Sequence, residues 1–121
     1  MFKRKANKYK NTKITINGEV FDSKAEAKRF HELAAMVETG EIQDLTRQPK
    51  FILQEGFDDI DAGEHIRPIT YKADFMYRDE DGNWVVEDVK SWITQKDKAY
   101  RLKVKLFRKR YPEYRFNEVV I

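Results

Sequence analysis

Asp74 and the triplet Asp88-Val89-Lys90 place two carboxylates and an ammonium group on either side of a short Glu80-Asp81-Gly82 segment. Brought to one face, such a set can hold a divalent cation beside a phosphate. Mg²⁺ takes oxygen ligands, commonly one or two carboxylates, with water and phosphate oxygens completing its octahedron. An ion so held polarises a phosphodiester, lowers the pKa of an attacking water and offsets charge on the leaving oxygen. Lys90 would orient that water or stabilise the pentacovalent charge. The same spacing also fits an ordinary strand pair with solvated charges on one face.

Whether the three groups meet depends on the elements that carry them. Residues 66–78 and 84–90 are rich in β-branched and aromatic side chains and read as two strands of a hairpin. A two-residue Asp81-Gly82 loop pairs Phe75 with Asp88 and sends Asp74 to the opposite face. A three-residue loop, with Gly82 in the left-handed position of a bulged turn, sets Asp74 directly opposite Asp88 and puts Lys90 on their face. Both loops suit the residues. The three-residue loop is the expectation because it unites the polar groups.

Upstream, Asn17-Gly18 between alternating residues signals a tight hairpin over residues 14–21. A helix is expected over residues 23–38, stopped by Gly40, with Ala27, Phe30, Ala34 and Val37 as its apolar stripe. Ser23-Lys24-Ala25-Glu26 reads as a capping box, in which Glu26 would bond the Ser23 amide and need no other role. Gln48, between Arg47 and Pro49, leads into a strand at residues 50–54; a glutamine there is ordinarily just solvated. The acidic stretch 56–64 reads as an exposed loop without a catalytic role, and neither His31 nor His65 is assigned a function.

A second helix is expected over residues 95–111, with Thr94 as its N-cap and Pro112 ending it. Tyr100, Val104, Phe107 and Tyr111 share one face, and Ala99, Leu102 and Leu106 form a second apolar stripe, both read as core. Between the stripes Lys98, Arg101, Lys105, Arg108 and Lys109 line a basic arc along which phosphates could lie, although a merely solvated helix face would look the same. Residues 115–121 read as the last strand. Trp92 or Trp84, if exposed, could stack on an unpaired base.

With 121 residues the chain is long enough for one core, and a single domain is expected over residues 1–121. There are no cysteines, so disulfides and thiolate zinc sites are excluded, and two separated histidines leave metal binding to carboxylates. No apolar run approaches the roughly 20 residues that span a bilayer. The basic start lacks the apolar stretch of a signal peptide, so a soluble protein of the cytoplasm, with no membrane partner, is expected. Net charge is +3, but Lys3, Arg4, Lys5, Lys8, Lys10 and Lys13 crowd the start, and residues 1–12 read as a basic arm suited to phosphates or as a solubilising tail. Sequence-specific reading of bases is not expected, because no helix-turn-helix, zinc finger or glycine-rich phosphate loop is visible.

Taken with their neighbours, these residues resemble a known family. Asp74 followed by Asp88-Val89-Lys90 is similar to the signature of the PD-(D/E)xK nuclease superfamily, an Asp and then (Asp/Glu)-x-Lys. Phe21-Asp22-Ser23-Lys24-Ala25-Glu26, Gly40-Glu41-Ile42, Arg47-Gln48-Pro49, Ala73-Asp74-Phe75 and Glu87-Asp88-Val89-Lys90-Ser91 resemble a small phage and prophage branch, over residues 18–111. The chain is also similar to the amino-terminal endonuclease half of transposition proteins, which carries a helix glutamate upstream. One departure is Ala73, where the name of the signature has Pro.

The resemblance implies an α/β fold with a restriction-endonuclease-like αβββαβ core, a mixed sheet flanked by two helices, here with an extra N-terminal hairpin. It implies an Mg²⁺ or Mn²⁺ dependent endonuclease acting on nucleic acid, DNA of phage origin before RNA, in the cytoplasm of a bacterial host. Asp74, Asp88 and Glu26 would be its metal ligands, Lys90 its fourth catalytic residue, and Gln48 would face the cleft. Glu26 would then serve as a ligand or as an orienter of water rather than as a cap. Junctions or flaps are conceivable substrates; resolving a junction needs a homodimer to place two sites, and nothing in the sequence marks a dimer face. The alternative is a non-catalytic DNA-binding or phage-assembly module that keeps the fold.

Overall fold

Asn17 and Gly18 take φ of 52° and 82°, the left-handed pair that a two-residue hairpin loop needs, and join β1 (Ile14–Ile16) to β2 (Glu19–Phe21). The computed structural model describes residues 13–121, so the basic arm expected at residues 1–12 lies outside the described residues. Phe21 is fully buried, and Ser23 then caps α1 (Lys24–Glu38) by accepting the Glu26 amide at 3.1 Å. Gly40, at φ 81°, follows the helix end. The buried positions of α1 are Glu26, Ala27 and Leu33, with Phe30 and Met36 partly buried against the core, while Val37 is exposed. The expected stripe is therefore rolled. Leu33 offers more apolar surface than Ala34, and the helix turns that larger side chain to the sheet.

The remaining strands are β3 (Gln43–Arg47), β4 (Lys50–Gln54), β5 (Phe57–Asp59), β6 (Glu64–Ile66), β7 (Ile69–Lys72), β8 (Phe75–Arg78), β9 (Trp84–Lys90) and β10 (Arg115–Val120). Four of them form a mixed sheet in the order β10-β9-β8-β3. The pairs β3·β8 and β8·β9 are antiparallel; β9·β10 is parallel, the connection running through α2 (Lys98–Arg110). The molecule is thus mixed α/β, with β1 and β2 as an extra hairpin. Alternation along β9 divides the core. Val85 lies with Phe75, Tyr77, Leu33 and Ile42 against α1, and Val86 lies with Phe51, Tyr71, Tyr100 and Phe107 against α2.

The run 66–78 is not one strand. It breaks first at Arg67-Pro68, which leaves Ile66 in β6, and again at Ala73 and Asp74, opposite Gln48 and Pro49 at the junction of β3 and β4, where the two facing breaks are stitched together. The Gln48 amide donates to the Asp74 carbonyl at 2.8 Å and the Ala73 amide to the Pro49 carbonyl at 3.1 Å. Gln48 sits at φ 52°, an uncommon conformation for a side chain of its size. Both strands of the β3–β4 and β7–β8 pair therefore break together, and the Gln48, Ala73 and Asp74 amides all stay paired there.

Four further expectations change. β3 was not foreseen. The acidic stretch 56–64 holds the β5–β6 hairpin rather than a plain loop, although most of its side chains are exposed. Thr94 begins a 3₁₀ turn (Thr94–Lys96), and it is Asp97 that caps α2, accepting the Tyr100 amide at 2.8 Å. The second apolar stripe of α2 is not core: Ala99 is exposed, as are Leu102 and Leu106, at 59% and 40%. A helix can lie on a sheet along one face only, and the face carrying Tyr100, Val104, Phe107 and Tyr111 holds more apolar area.

Candidate functional site

The β8–β9 turn decides the register. Phe75 pairs with Glu87 and Arg78 with Trp84, which leaves Glu80-Asp81-Gly82 as the loop and sets Asp74 across from Asp88. Gly82 has φ 81°, and Asp79 closes the turn: its amide donates to the Asn83 carbonyl at 2.9 Å and its Oδ1 accepts the Asp81 and Asn83 amides. This is the three-residue arrangement. The Asp74 amide donates to the Glu87 carbonyl at 3.0 Å, so the ladder runs up to the aspartate although Asp74 itself stands in the bend.

Asp88 is 2% exposed at the centre of the sheet. Its Oδ2 accepts the Tyr71 hydroxyl, and its Oδ1 lies 2.8 Å from Lys90 Nζ. That second contact is ionic but poorly directed, since Asp88 Oδ1 is buried without a hydrogen bond. Lys90 Nζ also lies 4.5 Å from the centre of the Tyr100 ring, so a cation–π contact helps to hold it beside the carboxylate. The Tyr100 hydroxyl donates to Glu118 at 2.5 Å. Burial raises both tyrosine hydroxyls well above the usual phenol range, with the neighbouring carboxylates adding to the rise, so both stay protonated donors.

Asp74 Oδ2 accepts the Val89 amide at 2.7 Å. Its pKa is nevertheless pushed up to about 7, first by burial and then by the Asp88 carboxylate, with Glu26 adding to the rise and the Val89 amide and Lys90 opposing it. Asp74 and Asp88 thus repel each other across the hairpin. Glu26 joins their field from α1. It is 3% exposed, and its pKa is raised by burial and then by Asp22, against the pull of Arg47, with a smaller push from Asp88.

Only half of the capping box forms. Ser23 Oγ accepts the Glu26 amide, but among the described residues no hydrogen bond links the Ser23 amide to the Glu26 carboxylate. Glu26 Oε1 is buried without a hydrogen-bond partner, 3.8 Å from Arg47 Nη2. Arg47 in turn stacks over Phe21, 4.1 Å from the ring centre, and donates to the Val20 carbonyl at 2.7 Å, tying the first hairpin to the site. Gln48 is half-buried in the bend and its Nε2 approaches Asp22 Oδ2 at 3.5 Å, which leaves it near Asp22 rather than on Asp74 or Asp88.

Glu87 was missed by sequence reasoning, and it lies on the other face from Asp88. It is fully buried and holds Arg29 through two bonds of 2.8 Å, with the Tyr77 hydroxyl at 2.5 Å and Asn117 Nδ2 at 3.1 Å. The hydrogen bond to Glu87 is the main reason that the Arg29 pKa is raised further. A signal was present: a glutamate that shares a strand face with Val85 and Val89 sits on an apolar face, cannot reach water and needs a cation opposite. Tyr71 was also missed, and no spacing in the sequence relates it to Asp88.

Residues 6–120 match the profile of a family described as "Protein of unknown function (DUF1064)". The chain belongs to that family. No curated protein and no solved structure matches it.

In this DUF1064 chain the five residues of the expected basic arc on α2, Lys98, Arg101, Lys105, Arg108 and Lys109, are exposed. Arg101, Lys105 and Arg108 line a cleft of about 450 Å³ between α2 and β10, together with Lys96, which sequence reasoning had not singled out. Lys98 and Lys109 are not among its lining residues. Tyr100 and Lys96 also border a second cleft of about 690 Å³, which reaches Lys90. Among the described residues no three His, Cys, Asp or Glu side chains stand close enough to hold a metal ion unaided. The site itself is a pair of carboxylates with Glu26 behind them, two buried oxygens without hydrogen bonds, and one ammonium group. Its three carboxylates, Asp74, Asp88 and Glu26, face two cations, Lys90 and Arg47, which leaves one negative charge for a further cation or a proton.

Proposed function

We propose that the protein is a metal-dependent endonuclease that hydrolyses phosphodiester bonds of nucleic acid, with DNA as its substrate. The observation that carries this reading is the register that sets Asp74 opposite Asp88, with Lys90 2.8 Å from Asp88 Oδ1. With β4 to β7 inserted between β3 and β8, the helices and the strands of the four-stranded sheet follow one another as α1, β3, β8, β9, α2, β10, in agreement with the αβββαβ core of restriction-endonuclease-like proteins, and the parallel β9–β10 pair agrees with its mixed sheet.

Asp74 and Asp88 would hold Mg²⁺ or Mn²⁺, and Glu26, which does not stand with them as a three-carboxylate group, would orient metal-bound water. The donor set fits such an ion: Asp88 Oδ1 is a buried oxygen lacking a hydrogen bond, Glu26 Oε1 is another, available to a metal-bound water, and two carboxylates leave the other positions to water and substrate phosphate. The bound ion would supply Lewis acidity at the phosphate and lower the pKa of water. The protein's own residues do the positioning. Tyr71 fixes the rotamer of Asp88, and the Val89 amide fixes that of Asp74. Lys90, held by Asp88 and the Tyr100 ring, offers a positive charge where a pentacovalent phosphate gains negative charge. Arg101, Lys105 and Arg108, which line one cleft, would hold flanking phosphates.

The test is cleavage by wild type and Asp88→Ala with Mn²⁺ on linear, flapped and four-way-junction DNA and on RNA. Wild type should cut at least one DNA, and the variant should be slower by roughly a thousandfold or more. Absence of any cleavage at high enzyme excess, or equal cleavage by the variant, would refute the proposal.

A further inference from the structure

Immediately after Lys90 the chain makes a turn that projects apolar side chains into solvent. Trp92 is 61% exposed and Ile93 38%. The turn is locked by its flanking hydroxyls: the Ser91 amide donates to Thr94 Oγ1 at 2.9 Å and the Thr94 amide to Ser91 Oγ at 3.1 Å. Trp92 is therefore an exposed aromatic ring on a braced support, which a merely tolerated surface tryptophan does not require. It borders the cleft of about 690 Å³ that also meets Lys90, Lys96 and Tyr100. Lys96 Nζ lies 5.1 Å from the centre of the Trp92 ring, which keeps a cation at the rim.

We infer that this cleft receives an unpaired base of the nucleic-acid strand whose phosphate lies at Asp74, Asp88 and Lys90, so that the substrate is single-stranded or branched at the cut. The inference rests on the proposed nuclease function for the position of that phosphate. Every base has a π-face for Trp92 to stack on, but in a duplex those faces are covered by neighbouring base pairs. The volume lies in the range of clefts that take whole small molecules. Net charge agrees: Lys90 and Lys96 line the cleft against one carboxylate, Asp97, and Arg101, Lys105 and Arg108 line the adjoining one with Lys96 against one carboxylate, Glu118. Those two carboxylates are held in place, Asp97 by the Tyr100 amide and Glu118 by the Tyr100 hydroxyl, and the cations outnumber them.

Binding of a labelled single-stranded oligonucleotide and of the corresponding duplex, measured by fluorescence anisotropy in chelator, tests this without relying on cleavage. Wild type should prefer the single strand. Trp92→Ala should lower that preference about tenfold or more, and Trp92→Phe should restore most of it, because a stacked base contributes about that much. An equal affinity for both forms in wild type, or an unchanged preference in Trp92→Ala, overturns the inference, whatever cleavage shows. A preserved preference effect in a protein that cuts nothing would sustain the base cleft and reject the nuclease.

Discussion

Replacing Asp74 by Asn should stabilise the protein at pH 8 in the absence of divalent metal. Asp74 is pushed up to about 7 from 3.8, so its folded state keeps a proton that the unfolded chain has already lost. Stability from this group is therefore highest at low pH, falls as pH rises from about 4 to about 7, and is at its lowest above pH 7. Between pH 5 and pH 8 the part that counts is about two units at about 1.4 kcal/mol each, on the order of 2 kcal/mol once partial access to solvent is allowed for. Asn keeps the side-chain oxygen that accepts the Val89 amide, so the exchange removes charge without breaking that bond. Urea unfolding of both proteins in chelator at pH 5 and pH 8 measures it. The advantage of Asp74→Asn over wild type should grow by about 2 kcal/mol between the two, about 6–10 °C in Tm for a chain of this size. Mg²⁺ at pH 8 should then raise the Tm of wild type and leave the variant nearly unmoved. A difference that is the same at both pH values would refute the repulsion argued between Asp74 and Asp88.

Glu26→Gln should keep the fold, since Ser23 caps through the Glu26 backbone amide, yet lose roughly a hundredfold or more in cleavage rate; full activity would return Glu26 to a structural role. Arg29→Ala strands a fully buried Glu87 and should cost about 3–5 kcal/mol in urea unfolding, with Glu87→Gln in the same chain recovering part of it. Leu102→Ala should cost less than about 1 kcal/mol because Leu102 is exposed, whereas Phe107→Ala should cost about 3–5 kcal/mol. Equal losses from those two would mean that the second stripe of α2 is covered after all.

Much of the site was legible because its signals are local. The Asn17-Gly18 turn, the Ser23 cap, and the bounds of β4 and β9 depend on neighbouring residues, and the structure has them where the residues ask for them. Glu80-Asp81-Gly82 was only half legible, since its composition suits two loop lengths; the pairing of Phe75 with Glu87 chose between them. β3, Gln43-Asp44-Leu45-Thr46-Arg47, has little strand character of its own and exists because β8 pairs with it.

The sequence by itself determined which chemical groups are present and, through alternation along β9, that Asp88 and Lys90 share a face opposite Glu87. Tertiary structure alone decided what each group meets. Glu87 finds Arg29 58 residues away, and Asp88 finds Tyr71 from a strand on the other side of a bend. Which apolar stripe of α2 is buried, and that Asp74 stands in the bend beside Gln48, follow from how the bent pair of strands and the helix fit around one core. Propensity and spacing act over a few residues. Burial and charge pairing act between segments that only chain closure brings together, and those set the raised pKa of Asp74 and the unmet oxygens of Asp88 and Glu26.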